Sequence, residues 1–163
     1  MPPGRRDLMT MPNNITPNAL GFLIADSARL LRMAFEKRIA GAGLNITAGE
    51  ARTLMQVAAV SGSRQLDIAA RMGVEPMTVC TFLDKLQAEG LIERQQDPAD
   101  RRAKKIVLTP RSDTIVQAIN DEIEGLLAEA TQGMNDDMRR SMEGALVKLR
   151  DNLQKGERGA REA

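Results

Sequence analysis

The sequence predicts a mainly α-helical fold that holds a helix-turn-helix unit and one small β-hairpin. Three observations carry this expectation. Aromatic residues are 2% of the 163-residue chain, with no Trp or Tyr and only three Phe. A core must therefore come from Leu, Ile, Val, Ala and ten Met, a composition that suits helices better than sheets. Apolar residues recur at three- and four-residue spacing along most of the chain, the period of one helix face. Finally, Leu91-Ile92 and Ile106-Val107-Leu108 are short β-prone runs on either side of a polar stretch containing Pro98, the pattern of an antiparallel hairpin.

The first helical signal runs from about Asn18 to Ile39, with Leu20, Leu23, Ile24, Leu30, Leu31, Ala34 and Phe35 on one stripe, and Gly41 and Gly43 end it. Thr47-Ala48-Gly49-Glu50 has the capping-box pattern: Thr47 accepts from a first-turn amide and Glu50 reaches back. It opens a second helix, Ala48 to about Val60. Ser61-Gly62-Ser63 makes a turn and offers Ser63 as the N-cap of a short third helix, Arg64 to Met72, which Gly73 ends. Pro76 fits the first turn of a fourth helix, where its missing amide hydrogen is tolerated. There Val79, Phe82, Leu83 and Leu86 are expected inward, with Gly90 as the stop. The hairpin follows, its basic residues Arg101, Arg102, Lys104 and Lys105 expected in a loop at the tip.

Thr109-Pro110 signals a fifth helix striped by Ile115, Ile119, Ile123, Leu126 and Ala130. After a break at Gly133 and an Asn135 cap, Met138, Met142, Ala145, Leu149 and Leu153 form the stripe of a sixth. Gln154 to Ala163 reads as a frayed polar tail, and Met1 to Pro17 as a loose Pro-rich arm, with Met9 or Met11 as alternative starts. The terminal helices have apolar stripes with little of their own chain left to cover them, which points to a second copy.

Composition removes most enzyme chemistry. Without His, Ser-His-Asp triads, Cys-His pairs and His-bearing zinc sites are excluded, and no other metal site or cofactor motif is evident. Asp136-Asp137 is an acidic pair, but acids at a helix start are expected from the helix dipole alone. No catalytic residue is therefore assigned. The single cysteine, Cys80, can form neither an intrachain disulfide nor a CxxC clip, which fits the cytoplasm. No apolar run approaches the ~18 residues of a membrane span. The net charge of +1 hides an asymmetry: Arg94–Arg111 has six basic against two acidic residues, whereas Asp121–Asp151 has eight acidic against four basic. The first segment suits a polyanion and the second suits water.

Residues Gln65 to Asp84 satisfy the stereochemistry of a helix-turn-helix. Ala69 is small where the two helices cross, Gly73 can take the positive φ of the turn, and Val79 makes the apolar contact back to the first helix. A basic β-loop next to such a unit can lie over the minor groove while the second helix occupies the major groove. Together, Val74–Arg94 and Asp97–Thr109, with the Asp100-Arg101-Arg102-Ala103-Lys104 run, resemble the recognition helix and wing of the MarR (multiple-antibiotic-resistance regulator) family of bacterial transcription factors. The wing is most like the SlyA branch.

The resemblance implies a winged helix-turn-helix homodimer. Its parts would be an arm (1–17), a dimerisation helix (18–46), a DNA-binding lobe (47–109), two further dimerisation helices (110–155) and a polar tail (156–163). It implies sequence-specific binding of an inverted-repeat duplex, in which Arg102 enters the minor groove with Asp100 orienting it. The candidate DNA contacts are Ser63, Gln65, Pro76, Met77, Thr78, Thr81, Lys85, Asp100, Arg101, Arg102, Lys104 and Lys105. Many relatives carry Arg where Thr81 stands, so the operator cannot be borrowed from them. The resemblance further implies a cleft for a small organic anion, drawn here on Arg29, Arg32, Met33, Arg52 and Met55, and thus a repressor released by an effector. A thiol switch at Cys80 is not expected, because the family's thiol sensors carry theirs in the first helix. The alternative is a helical adaptor whose winged helix no longer binds DNA; the intact basic wing speaks against it.

Overall fold

The computed structural model of the protein describes residues 19–162; the arm expected over 1–17 lies outside them. The elements in order are α1 (Ala19–Gly41), α2 (Ala48–Ala59), β1 (Ser63–Arg64), α3 (Gln65–Met72), α4 (Pro76–Ala88), β2 (Ile92–Asp97), β3 (Asp100–Leu108), a 3-10 turn (Pro110–Ser112), α5 (Asp113–Ala130) and α6 (Asp136–Glu162). The three strands form one antiparallel sheet of order β1-β3-β2. This is a mainly helical fold with a small sheet, as the composition predicts. No helix among the described residues is long and apolar enough to cross a membrane.

The core lies between α2, α3, α4, the sheet and α5. Leu54, Val57, Ile68, Val79, Leu83, Leu86, Ile92, Ile106 and Ile119 have essentially no exposed surface. Each such side chain contributes about 1.5–3 kcal/mol by leaving water. The helix-turn-helix positions behave as their stereochemistry requires: Ala69 and Val79 are buried, and Gly73 is left-handed at φ 64°. The capping box is formed, with Thr47 Oγ1 accepting from Glu50 N at 3.2 Å and Glu50 Oε2 accepting from Thr47 N at 2.9 Å. Asn135 Oδ1 likewise accepts from Met138 N, the cap of α6.

Gly49 decides how closely α4 approaches α2. A Cβ there would stand 2.4 Å from the Phe82 ring, so the ring lies flush on the α2 backbone. Between α1 and α5 the tie is ionic: the Arg38 guanidinium donates to Glu122 at 3.1 Å and to Glu129 at 2.5 Å. Gly125 leaves room for it, since a Cβ would meet Arg38 Nη1 at 3.1 Å. The two carboxylates, chiefly through these hydrogen bonds, push the Arg38 pKa up.

Four expectations are corrected. Ser63 is not the cap of α3: it pairs with Ile106 in β1 and donates its hydroxyl to Val60 O, while Arg64 precedes the helix and Asp67 reaches back to the Arg64 amide. A two-residue strand is too short to show a period in sequence. The basic run is not a loop, because Arg101 to Lys105 belong to β3; pairing of Asp100, Lys104 and Lys105 with β2 holds residues of poor β-propensity in the strand. The Ile115, Ile119 and Ile123 stripe of α5 packs on the core of its own chain, with Ile119 fully and Ile115 and Ile123 partly buried. Lastly, α6 continues to Glu162, past the expected tail; no Pro interrupts the run, and a lone Gly156 costs a helix only about 1 kcal/mol.

What remains uncovered is α6, none of whose described side chains is buried, and the first half of α1. Leu20, Phe22, Leu23 and Leu30 on α1, and Met138, Met142, Leu146, Leu149 and Leu153 on α6, are all exposed.

Candidate nucleic-acid interface

The core and surface duties of α4 fall on different faces. Val79, Leu83 and Leu86 hold the helix down, while Pro76, Met77, Thr78 and Thr81 are exposed, Met77 by 75%. The Thr81 hydroxyl donates to Met77 O one turn back, so its oxygen keeps its accepting lone pairs and its methyl group for a partner. Gln65, at the start of α3, donates its amide to Pro76 O and ties the two helix starts together.

Two ion pairs fix the flanks of this helix. Lys85 Nζ lies 3.2 Å from Glu50 Oε1, so the carboxylate that caps α2 also holds α4. On the other side Arg94 of β2 donates to Asp84 at 2.7 Å and to Gln87 at 2.6 Å. Cys80 is half-buried, with its thiol 3.8 Å from the second oxygen of Asp84. Helix and wing strand are thereby connected by side chains as well as by chain.

At the wing tip the ladder is irregular. Gln96 pairs with Lys104 and Asp97 with Asp100, so Arg101, Arg102 and Ala103 are left over as a bulge on β3. The Gln96 amide donates to Arg101 O at 2.8 Å, and Asp100 Oδ1 accepts from Arg102 N at 3.0 Å. Both arginine side chains are exposed. Asp100 thus positions Arg102 through its backbone and not through its guanidinium, a correction to the pairing expected from sequence.

The guanidinium that acids hold at the wing tip is that of Arg64, 3.8 Å from Asp100 Oδ2 and held more closely by Asp97. Asp97 is 3% exposed, and its Oδ2 accepts from Arg64 Nη2 at 2.7 Å and Nε at 3.3 Å. Its Oδ1 accepts from Ala99 N at 2.9 Å and lies 3.6 Å from Lys105 Nζ. The Arg64 hydrogen bonds, then the Ala99 amide, hold its carboxyl below the usual carboxylate range despite burial. Lys105 is therefore engaged inside the wing, while Lys104 is exposed. Sequence reading missed Asp97 and Arg64 because 33 residues separate them and neither stands in a pattern that requires the other.

A cleft of about 340 Å³ opens between α1, α2, α3 and α5. Arg32, Arg52, Met55, Gln56, Arg71 and Leu127 are among its walls. Three expected residues, Arg32, Arg52 and Met55, are brought together there. Arg29 and Met33 are not: Arg29 pairs with Asp26 at 2.6 Å and donates to Met33 Sδ, away from the cleft. Arg71 was not foreseen. It is held by Gln56 and by the Ser63 hydroxyl at 2.9 Å, and this makes Ser63 a buried strut.

Comparison with known proteins agrees with this geometry. Residues 46–104 match the model of the MarR family. The fold superposes on a MarR transcriptional regulator from Methanosarcina mazei Go1 with a TM-score of 0.73 and 22% identity, over 85% of this chain and 98% of that one. Wild-type MarR from E. coli in its apo form gives 0.70 and 23%, over 84% and 98%. CouR from Rhodococcus jostii RHA1, bound to p-coumaroyl-CoA, gives 0.66 and 24%, over 80% and 90%. At these identities the likeness establishes the shared fold.

Proposed function

We propose that this chain, whose winged lobe (residues 46–104) matches the MarR family, is a sequence-specific double-stranded DNA-binding regulator of that family that acts as a homodimer and represses until a small organic anion releases it. Proteins of this family are transcription regulators and not enzymes. One observation carries the reading: the exposed face of α4, free of packing duties, stands on the same lobe as a bulge that displays Arg101 and Arg102. A helix of this kind reads base edges in the major groove, and an arginine at a wing tip suits the narrow minor groove. Dimerisation is supported by the uncovered stripes of α1 and α6, and release by the three arginines of the cleft. The relative with p-coumaroyl-CoA bound supports aromatic acids and acyl thioesters as the first ligands to try.

Selection of duplexes from a random pool tests the reading. The expected product is an inverted repeat whose half-site centres lie ~10 bp apart, one helical turn. Failure to enrich any sequence would leave an adaptor that retains only the winged shape. Release is tested by thermal shift with aromatic carboxylates and acyl thioesters, followed by operator competition. An effector must bind the free protein better than the DNA-bound form, so a true one does both.

A further inference from the structure

Below the lobe, away from the arginine cleft, a second cavity of about 280 Å³ lies where the α1–α2 loop, the end of α4 and the start of α5 meet. Its walls include the apolar Leu44, Ile46, Leu91 and Ile115 and two opposite charges, Glu89 and Arg111. Both charges stand at the wrong helix end. Glu89 is the C-cap of α4, where the helix dipole disfavours an anion, and Arg111 is in the turn that leads into α5, where it disfavours a cation. Neither forms an ion pair or a side-chain hydrogen bond with the other or with any other described residue. Two exposed groups so placed destabilise the free protein slightly, and swapping either for a neutral residue would relieve it. Their shared cavity gives the placement a use.

We propose that this cavity binds a small apolar α-amino acid as its zwitterion. The Arg111 guanidinium takes the carboxylate in a charge-assisted hydrogen bond, Glu89 takes the ammonium, and the aliphatic side chain rests on Leu44, Ile46, Leu91 and Ile115. The ligand supplies each of the two protein charges with the opposite charge that it lacks. It also joins the end of α4 and the first residue before β2 to the start of α5, so an occupied cavity fastens the lobe to the helix that leads out of it.

The test uses the full chain and L-leucine, with glycine, 4-methylpentanoate and isoamylamine as controls that lack the side chain, the ammonium or the carboxylate. Calorimetry should show leucine binding and each control weaker by about tenfold or more, the worth of a charged hydrogen bond or of the apolar contact. Glu89→Gln and Arg111→Gln should each weaken leucine about tenfold. Each should also leave the free protein as stable as before or slightly more so, which separates loss of a ligand contact from loss of fold. If leucine does not bind, if 4-methylpentanoate binds as well as leucine, or if both variants lower the Tm of the free protein, the proposal is overturned. None of these outcomes bears on DNA binding by α4 and the wing.

Discussion

The four basic residues of β3 have unequal surroundings, and substitutions should rank them. Arg101, Arg102 and Lys104 are exposed, whereas Lys105 faces Asp97. Lys104→Ala should weaken binding to all duplexes alike and lower the salt slope by about one per subunit. Arg102→Ala should additionally erase preference at flanking positions, because a guanidinium is drawn to narrow A·T-rich minor grooves. Fluorescence anisotropy against several salt concentrations and flanking sequences distinguishes the two. Lys105→Ala should do neither, and a unit fall in its salt slope would show that Lys105 leaves Asp97 for phosphate. Asp97 itself gives a dependence on pH. Its folded pKa is depressed, so its contribution is complete above the ordinary carboxylate value of about 3.9 and is lost as pH falls through the lower, folded value. Urea melts of wild type and Asp97→Asn should accordingly differ at neutral pH and converge below pH ~4. A gap that persists in acid would mean that packing, and not charge, makes Asp97 necessary.

Among the elements, the α2–α4 contact is the most sharply specified. Gly49→Ala gains about 1 kcal/mol of helix propensity but drives a methyl group into the Phe82 ring, and overpacking of this kind costs about 1–3 kcal/mol. The net effect should be a loss of about 1 kcal/mol in chemical denaturation, and Gly49→Ala should become favourable once Phe82→Leu has removed the ring. The same region shows what sequence makes legible. Capping at Thr47, the turn at Gly73 and the inward positions Val79, Leu83 and Leu86 are local signals, set by neighbours three to six residues away, and all appear in the fold. What escapes is non-local: β1 exists only because β3 comes beside it, the Arg101–Ala103 bulge only because β2 is shorter than β3, and the Arg64–Asp97 tie only after both strands are in place. The cleft was half legible for the same reason. Arg32 and Arg52 could be placed by helix period, but Arg71 joins them through the packing of α3 on α2.

For the whole molecule the decisive feature is a 27-residue helix, α6, none of whose described side chains is buried in its own chain. Its stripe needs a partner surface, so Met142→Lys with Leu149→Lys should convert a dimer at micromolar concentration into monomers, as read by sedimentation velocity. A wild-type chain that sediments as a stable folded monomer would refute this. Such a monomer would also bind a half-site at most weakly, because the second lobe supplies its affinity through the first. The division of labour on α4 has an evolutionary consequence. Positions 76, 77, 78 and 81 carry almost none of the packing, and surface changes of that kind usually alter stability by less than about 0.5 kcal/mol. Drift can therefore rewrite the preferred duplex while Val79, Leu83 and Leu86 keep the scaffold intact, and duplicated copies of such a gene can diverge in target without first having to be stabilised.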